Sequence, residues 1–333
     1  MSDINWLASR TIFLGISGSH AYGTHTGSSD VDLRGLAVAP RRVYLGVGQG
    51  FEQAEKLPDG YWSYFPVNGS PALVAARTAK DCSVMDLRKF LWLASQCNPN
   101  IIELMFMPDD CVAFVDENAW GIVRAVRESC LTKRARYTFS GYAHSQLKRI
   151  QTHRRWLLNP PKGQPTRAEF GLPDRLPIPK DQYDAAKSLV DKRIQAWALD
   201  PDSEIPETVL AKLRAALIDL ALTVHPDRDP STTQYLAAGA ELGINANFMD
   251  VLDRERRYRQ ANAHWHQFQL WQTNRNAVRA ETEARCGYDT KHASHLIRLL
   301  RMACEILRGE GCVVRRPDAP ELLEIRSGAW PFE

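Results

Sequence analysis

The pattern of apolar and polar positions divides the chain into an N-terminal part with short strand-like runs and a longer part with helical periodicity. Residues 11–16 are rich in β-branched and aromatic side chains and lead into a glycine-rich stretch, and residues 31–38 form a second such run. The connection between these runs is too short for a helical crossover, which predicts two antiparallel neighbouring strands. Residues 81–85 are predicted as a third short strand.

After this third strand, the apolar residues recur with the periodicity of α-helices. Asp86 is the predicted N-cap of a helix that starts at Leu87, and the sequence Asn98-Pro99-Asn100 ends it. Beyond about residue 115 the pattern is helical throughout, except that residues 159–179 contain six prolines and are predicted to form a loop or lid. The predicted helices are 117–130, 136–158, 181–198, 206–224, 245–284 (continuous or broken) and 290–309.

Composition narrows the class of protein. Hydrophobic residues make up 44% of the chain and charged residues 24%, which is typical of a soluble globular protein. The seven cysteines are odd in number and form no C-x-x-C pair, so reduced thiols in a cytoplasmic protein are expected rather than disulfides or a cysteine zinc site. Neither a signal peptide nor an apolar run of membrane-spanning length is expected.

Charge is distributed unevenly, although the net charge is only +3. Between residues 133 and 193 there are 14 Lys and Arg residues but only 5 Asp and Glu residues. Part of this segment (residues 142–156) mixes basic with aromatic side chains, a pattern that suits contact with nucleic acid. A solvated face of an amphipathic helix has the same composition, so both interpretations stay open.

The first candidate site lies between the first two predicted strands. Asp30 and Asp32 occupy alternate positions and are therefore expected to project from one face of the second strand. Two adjacent carboxylates repel each other unless a cation lies between them, and oxygen ligands suit Mg²⁺ or Mn²⁺. Upstream, Gly18 and Ser19 form a turn whose N–H groups and hydroxyl suit phosphate oxygens. The combination predicts phosphoryl or nucleotidyl transfer, with a charged surface hairpin as the alternative.

These residues resemble a known signature. Gly18-Ser19 followed after ten residues by Asp30-Val31-Asp32 resembles that of the DNA polymerase β nucleotidyltransferase superfamily. The wider sequence is similar to a predicted nucleotidyltransferase family of bacteria and phages that is linked to RNA repair, the RlaP/YcgL-like group. Further matching segments are 87–91, 98–104, 141–147, 288–301 and 321–330.

The pattern along the chain predicts an α+β fold, in which a small N-terminal domain (residues 1–115) precedes a larger α-helical domain (residues 116–333), and the resemblance implies that the small domain is a mixed-sheet palm. The resemblance also implies that Asp30 and Asp32 are catalytic metal ligands, together with a third carboxylate on a nearby strand. Asp81, at the head of the third strand, is the preferred candidate. Asp86 is explained more simply as an N-cap, and Glu103 as a residue that orders a turn.

A second group of candidates lies on the predicted helix 290–309. Lys291, His295 and Arg298 share one face, and His292 precedes His295 by one turn. The resemblance favours nucleotide binding by Lys291 and His292, and less firmly by His295 and Arg298; the alternative is a solvated basic face. Arg34 lies on the same face as the two aspartates, where it would neutralise them or contact phosphate.

The sequence therefore predicts a nucleotidyltransferase that uses Mg²⁺ or Mn²⁺. It would move a nucleoside monophosphate from an NTP to a hydroxyl, with release of pyrophosphate. The preferred acceptor is an RNA or tRNA end, because the helical part is basic and the resembled family is linked to RNA repair. A protein side chain, a second nucleotide, and a non-catalytic RNA-binding module are the alternatives.

Overall fold

A computed structural model describes residues 4–27, 29–47, 50–175, 178–196, 230–275 and 277–332. By contacts within the chain it forms two compact units: unit 1 comprises Met1–Asn159 with Asn276–Glu333, and unit 2 comprises Pro160–Arg275. Unit 2 is thus inserted in the sequence of unit 1. The functional boundary near residue 115 stays a prediction, since the compact units divide the chain at other positions.

The sheet of unit 1 is mixed, which confirms the predicted α+β class. Its strand order is β3-β4-β2-β1-β5; β2 and β4 are parallel and the other neighbours are antiparallel. The antiparallel pairing predicted for the first two strands is confirmed. The strands are β1 (Thr11–Ser17), β2 (Asp32–Ala37), β3 (Gln53–Ala54), β4 (Asp81–Asp86) and β5 (Val112–Val115).

Strand β2 is shorter than its apolar pattern predicts, because its pairing with β1 ends where β1 ends. Ser17 is the last residue of β1, and its partner is Asp32. Asp30 therefore precedes the strand instead of lying on it. Alternation within β2 follows the prediction: Leu33 is fully buried, whereas Asp32 and Arg34 on the opposite face are partly exposed.

Helices of unit 1 cover much of the rest of that unit. Asp86 caps the helix that begins at Leu87, as predicted, and its carboxylate accepts a hydrogen bond from the backbone N–H of Arg88. These helices are α1 (Ser19–Tyr22), α2 (Arg41–Leu45), α3 (Pro71–Ala76), α4 (Leu87–Ser95), α5 (Pro99–Met105), α6 (Glu117–Ala125) and α7 (Ala135–Leu158).

Unit 2 follows with α8 (Lys180–Ala196), α9 (Pro230–Glu241) and α10 (Ala246–Asn274). They pack around a core of their own, built on Tyr183, Tyr235 and Leu252. The predicted helix 206–224 lies outside the described residues. The predicted segment 245–284 is broken, since Arg275 after α10 has an extended backbone.

Unit 1 is completed by α11 (Ala277–Cys286), α12 (Thr290–Arg308) and α13 (Ala319–Ser327). Helix α12 packs chiefly on α7, and its Leu299, Met302 and Ile306 join the apolar core that also contains the sheet. This packing places the C-terminal helices in the same compact unit as β1 and β2. None of the helices in the described ranges is long and apolar enough to cross a membrane.

Candidate active site

The glycine-serine turn directly follows strand β1 and lies against the first residue of β2. Gly18 has φ 69° and ψ −144°, a conformation that only glycine adopts readily. A Cβ atom at this position would lie 2.5 Å from Oδ2 of Asp32. Ser19 then begins the single turn of α1, which ends at Gly23 in the left-handed region. The turn thus needs glycine both for its backbone angles and for its close approach to a carboxylate.

Two of the three predicted carboxylates are direct neighbours in the sheet. Asp32 and Asp81 are register partners in the parallel pair of β2 and β4. Arg34, two residues further along β2, donates to Oδ2 of Asp81 at 2.8 Å. The side chain of Asp81 is 63% exposed and that of Arg34 30%. Asp30 lies before the strand and is exposed.

Like charges and burial both act on Asp32. Burial raises the pKa of its carboxyl group, and the neighbouring carboxylates of Asp81 and Asp30 raise it further, against the lowering effects of Arg34 and Lys291. A carboxyl group in this position favours a cation that would neutralise it. The donor set consists of carboxylate oxygens, which are the ligands that Mg²⁺ and Mn²⁺ prefer, so these residues fit a divalent metal ion.

Helix α12 carries the other predicted site residues, and the structure separates them by depth. Lys291 is exposed and lies close enough to Asp32 to influence its carboxyl group electrostatically. His292 is partly buried, and its Nδ1 donates to Oε1 of Gln146 at 2.6 Å. His295 is more deeply placed, with Nδ1 3.2 Å from a guanidinium nitrogen of Arg298.

Arg298 lies inside unit 1 instead of at its surface. It is only 4% exposed and forms an ion pair with Glu103 on α5. Its guanidinium also stacks on the ring of Tyr22, 3.7 Å from the ring centre. The hydroxyl of Tyr22 donates to the second oxygen of Glu103 at 2.5 Å. This buried network, Tyr22–Glu103–Arg298, connects α1 with α5 and α12; a nucleotide-binding role of Arg298 stays a prediction.

The two less favoured candidates for the third carboxylate, Asp86 and Glu103, are both buried and hydrogen-bonded. Glu103 belongs to the buried network and is 7% exposed. Asp86 is 2% exposed; besides capping α4 it accepts a hydrogen bond from the hydroxyl of Tyr44 at 2.6 Å. Asp81 differs from both, because it is exposed and adjoins Asp32.

The segment before α13 supports the turn in a way that the sequence pattern does not predict. The backbone N–H of Arg316 donates to the carbonyl oxygen of Tyr22 at 3.1 Å. Arg315 donates to the carbonyl oxygen of His20 at 3.0 Å. Arg326, on α13, donates to that of Thr24 at 2.9 Å. Paired arginines beside Pro317 were the available signal, but their partners lie about 300 residues away in sequence.

The basic segment of α7 divides between surface and interior. Tyr142, His144, Lys148, Arg149 and Arg155 are exposed, as a nucleic-acid contact surface requires. The remaining basic and aromatic residues of the segment are turned inward: Arg154 donates to the carbonyl oxygen of Gly287, His153 contacts Asp289, and Trp156 is buried.

Comparison with known proteins finds a family that matches the part of the chain containing these residues. Residues 3–158 match a family described as RNA repair pathway DNA polymerase beta family (RlaP). This segment contains the glycine-serine turn and all three candidate carboxylates. No curated protein and no solved structure matched the chain. Nucleotidyltransferases of this superfamily act on nucleotides and generally use divalent metals. The segment 3–158 therefore belongs to the DNA polymerase beta superfamily, and the protein is a nucleotidyltransferase.

Proposed function

We propose that the protein transfers a nucleoside monophosphate from an NTP to a hydroxyl group of RNA, with Mg²⁺ or Mn²⁺ bound by Asp30, Asp32 and Asp81. The observation that carries this proposal is the contact between Gly18 and Asp32, combined with the register pairing of Asp32 with Asp81. Together they join a backbone turn suited to phosphate and a group of carboxylates suited to a cation.

Each residue has a defined task in this proposal. The N–H groups of the Gly18-Ser19 turn and the Ser19 hydroxyl bind phosphate oxygens of the NTP. Arg34 and Lys291 add positive charge near these oxygens, since both lie within electrostatic range of Asp32. The metal, when bound, lowers the pKa of the acceptor hydroxyl and stabilises charge at phosphorus. The acceptor hydroxyl releases its proton to solvent, its oxygen bonds to the α-phosphorus, the α–β anhydride bond breaks, and pyrophosphate leaves.

RNA is the proposed acceptor because of the surface of α7. Its exposed Lys148, Arg149 and Arg155 supply charge for a phosphate backbone, and Tyr142 is 37% exposed. The family match adds support, since its description names an RNA repair pathway.

A labelling screen tests the proposal. Purified protein would be incubated with each of four α-³²P-labelled NTPs and Mg²⁺ or Mn²⁺, together with total RNA or total protein. We expect label in RNA, and its loss in Asp32→Asn. Asp59→Asn, which neutralises an exposed acid elsewhere in unit 1, is the matched control and should label like the wild type.

The other outcomes separate the parts of the proposal. Label in protein alone, or in a free dinucleotide, would reject RNA as the acceptor while retaining nucleotidyl transfer. RNA binding without turnover, unchanged in Asp32→Asn, would identify a non-catalytic RNA-binding module. Full activity after removal of all divalent ions with a chelator would reject metal dependence.

A further inference from the structure

Three metal-ligating side chains meet where helix α7 packs against the start of α12. They are His153 on α7, Asp289 immediately before α12, and His292 in its first turn. One ligand atom from each lies within 4.8 Å of the others. His153 and Asp289 are 136 positions apart in sequence, so the packing of the two helices assembles the group.

The distances suit a shared cation. Nδ1 of His153 lies 2.9 Å from Oδ2 of Asp289, and Nε2 of His292 lies 3.5 Å from the same oxygen. In a tetrahedral zinc site, two ligand atoms at about 2.1 Å from the metal are separated by about 3.4 Å. The 3.5 Å separation matches this value. The 2.9 Å separation has the length of a hydrogen bond, and a bound cation would replace that bond and lengthen the separation by about 0.5 Å.

Surrounding contacts orient the ligand atoms. Nδ1 of His292 donates to Oε1 of Gln146 at 2.6 Å, which leaves Nε2 as the nitrogen directed towards Asp289. Oδ1 of Asp289 accepts the backbone N–H of His292 at 3.1 Å, which directs Oδ2 to the two imidazoles. Metal-ligating histidines in proteins are commonly held in this way, through a hydrogen bond from the second ring nitrogen.

Burial distinguishes this group from a surface cluster. The side chain of Asp289 is 1% exposed, whereas those of His153 and His292 are 16% and 18% exposed. A carboxylate this deeply buried requires compensation of its charge. The partial exposure of both imidazoles leaves room for solvent as a further ligand.

We propose that His153, Asp289 and His292 bind one transition-metal ion, with Zn²⁺ as the best fit. Two imidazole nitrogens and one carboxylate oxygen form a ligand set typical of zinc, with water as the fourth ligand. It differs from the oxygen-only group around Asp32, so the two sites prefer different metals. The bound ion would join α7 to the start of α12, next to Lys291. This proposal does not depend on the proposed nucleotidyl transfer, and it assigns His292 to metal instead of nucleotide.

Metal binding can be measured in the full chain without any assay of activity. Asp30→Asn/Asp32→Asn serves as the background, because it removes two of the three carboxylates that are proposed to bind metal elsewhere. The protein is stripped with a chelator, desalted and titrated with Co²⁺, and bound Zn²⁺ is measured by competition. We expect one equivalent of Co²⁺ with the visible absorption bands of a low-symmetry, four-coordinate site, displaced by one equivalent of Zn²⁺.

Matched variants locate the ion. His153→Gln and His292→Gln should each weaken Zn²⁺ binding by more than about 100-fold, and Gln146→Ala by about 10- to 100-fold. His144→Gln, an exposed histidine on the same helix, should bind Zn²⁺ like the background. Circular dichroism confirms that each variant is folded.

Two results would overturn the proposal. One is a background protein that binds neither Co²⁺ nor Zn²⁺; the other is Zn²⁺ binding that persists unchanged in His153→Gln and His292→Gln. Should a histidine variant fail to fold, X-ray absorption at the zinc edge of the background protein decides. Two imidazole ligands support the site, and an all-oxygen shell rejects it.

Discussion

Two groups of charged side chains in unit 1 contrast sharply in their surroundings. Around Asp32, burial and the neighbouring carboxylates of Asp81 and Asp30, both of which are exposed, raise the pKa of its carboxyl group. Around Glu103, one carboxylate is matched by one guanidinium and one hydroxyl in the interior. The first group contains unbalanced negative charge, whereas the second is neutralised within the protein.

This difference separates acids that suit a cation from acids with a structural role. A carboxylate whose charge is already balanced by a buried guanidinium, as that of Glu103 is, offers little to a metal ion. An excess of adjacent carboxylates weakens the folded state until a cation binds, which is a common property of functional sites. Substitution of Asp32 should therefore affect function and spare stability, while substitution of Glu103 should do the reverse.

The largest expected effect is that of Asp32→Asn on transfer. Loss of a carboxylate that is proposed to bind metal should reduce the rate about 1000-fold, corresponding to about 4 kcal/mol in the barrier. The variant should be at least as stable as the wild type at neutral pH. The raised pKa means that ionised Asp32 weakens the folded state, and this difference should vanish at pH values where the group is protonated in both states.

Single-turnover assays and thermal unfolding at several pH values measure both quantities. Strong destabilisation by Asp32→Asn would contradict the proposed difference between Asp32 and Glu103, because it would show that Asp32 has a structural role.

Glu103→Gln should lower the free energy of unfolding by about 3–5 kcal/mol, since it leaves the buried Arg298 without its counter-charge. Chemical denaturation measures this loss. The double variant Glu103→Gln/Arg298→Met is the control, and it should be less destabilised than the sum of the two single variants. Additive effects would show that the pair does not interact.

Gly18→Ala should destabilise the protein by about 1–3 kcal/mol, because alanine disfavours the backbone angles of Gly18. It should also impair transfer, since the new Cβ atom would press on Oδ2 of Asp32. Gly121→Ala is the matched control: Gly121 lies within α6, and a Cβ atom added there would meet nothing within 4 Å beyond the helix's own backbone. This substitution should stabilise the protein by about 0.5–1 kcal/mol. Equal behaviour of the two variants in denaturation would argue against strain at Gly18.

His295 should give the smallest effect, visible as pH dependence. Its pKa is lowered well below 6.5 by burial and by the positive charges of Arg298, Lys291, His292 and Arg326. Below pH 6.5 His295 is therefore protonated in the unfolded chain but stays neutral in the folded protein, so the free energy of unfolding falls as the pH falls. The contribution is at most about 1.4 kcal/mol per pH unit.

Denaturation between pH 7.5 and about 5 measures the slope. His295→Gln should reduce it, and an unchanged slope would reject this role of His295.

Local pattern predicted those parts of the fold that depend on neighbouring residues. The β-branched run before Gly18, the cap at Asp86 and the periodicity of α12 each follow from a short stretch of sequence. The sequence also predicts that the Gly18-Ser19 turn and Asp32 belong to one site, because few residues separate them. The five-stranded order and the position of Asp81 opposite Asp32 needed tertiary pairing.

Long-range partners account for what the pattern could not predict. Arg298 lies on the same helical face as Lys291, yet Arg298 is buried and Lys291 is exposed. The partner of the buried guanidinium is Glu103, which lies 195 positions away in sequence. His292 was grouped with His295 by spacing, whereas its closest ligand-type neighbours are Asp289 and His153. Helical spacing predicts which residues share one face of a helix, but it does not predict which other elements of the protein pack against that face.

The arrangement of unit 1 in two separate stretches of sequence has a consequence for biosynthesis. The ribosome produces the glycine-serine turn and the carboxylates early, yet Arg315, Arg316 and Arg326, which hold that turn, emerge some 300 residues later. Domains generally fold as their residues leave the ribosome. The turn in the nascent chain therefore lacks these contacts until Arg315, Arg316 and Arg326 have been synthesised, which delays completion of the candidate active site until that point.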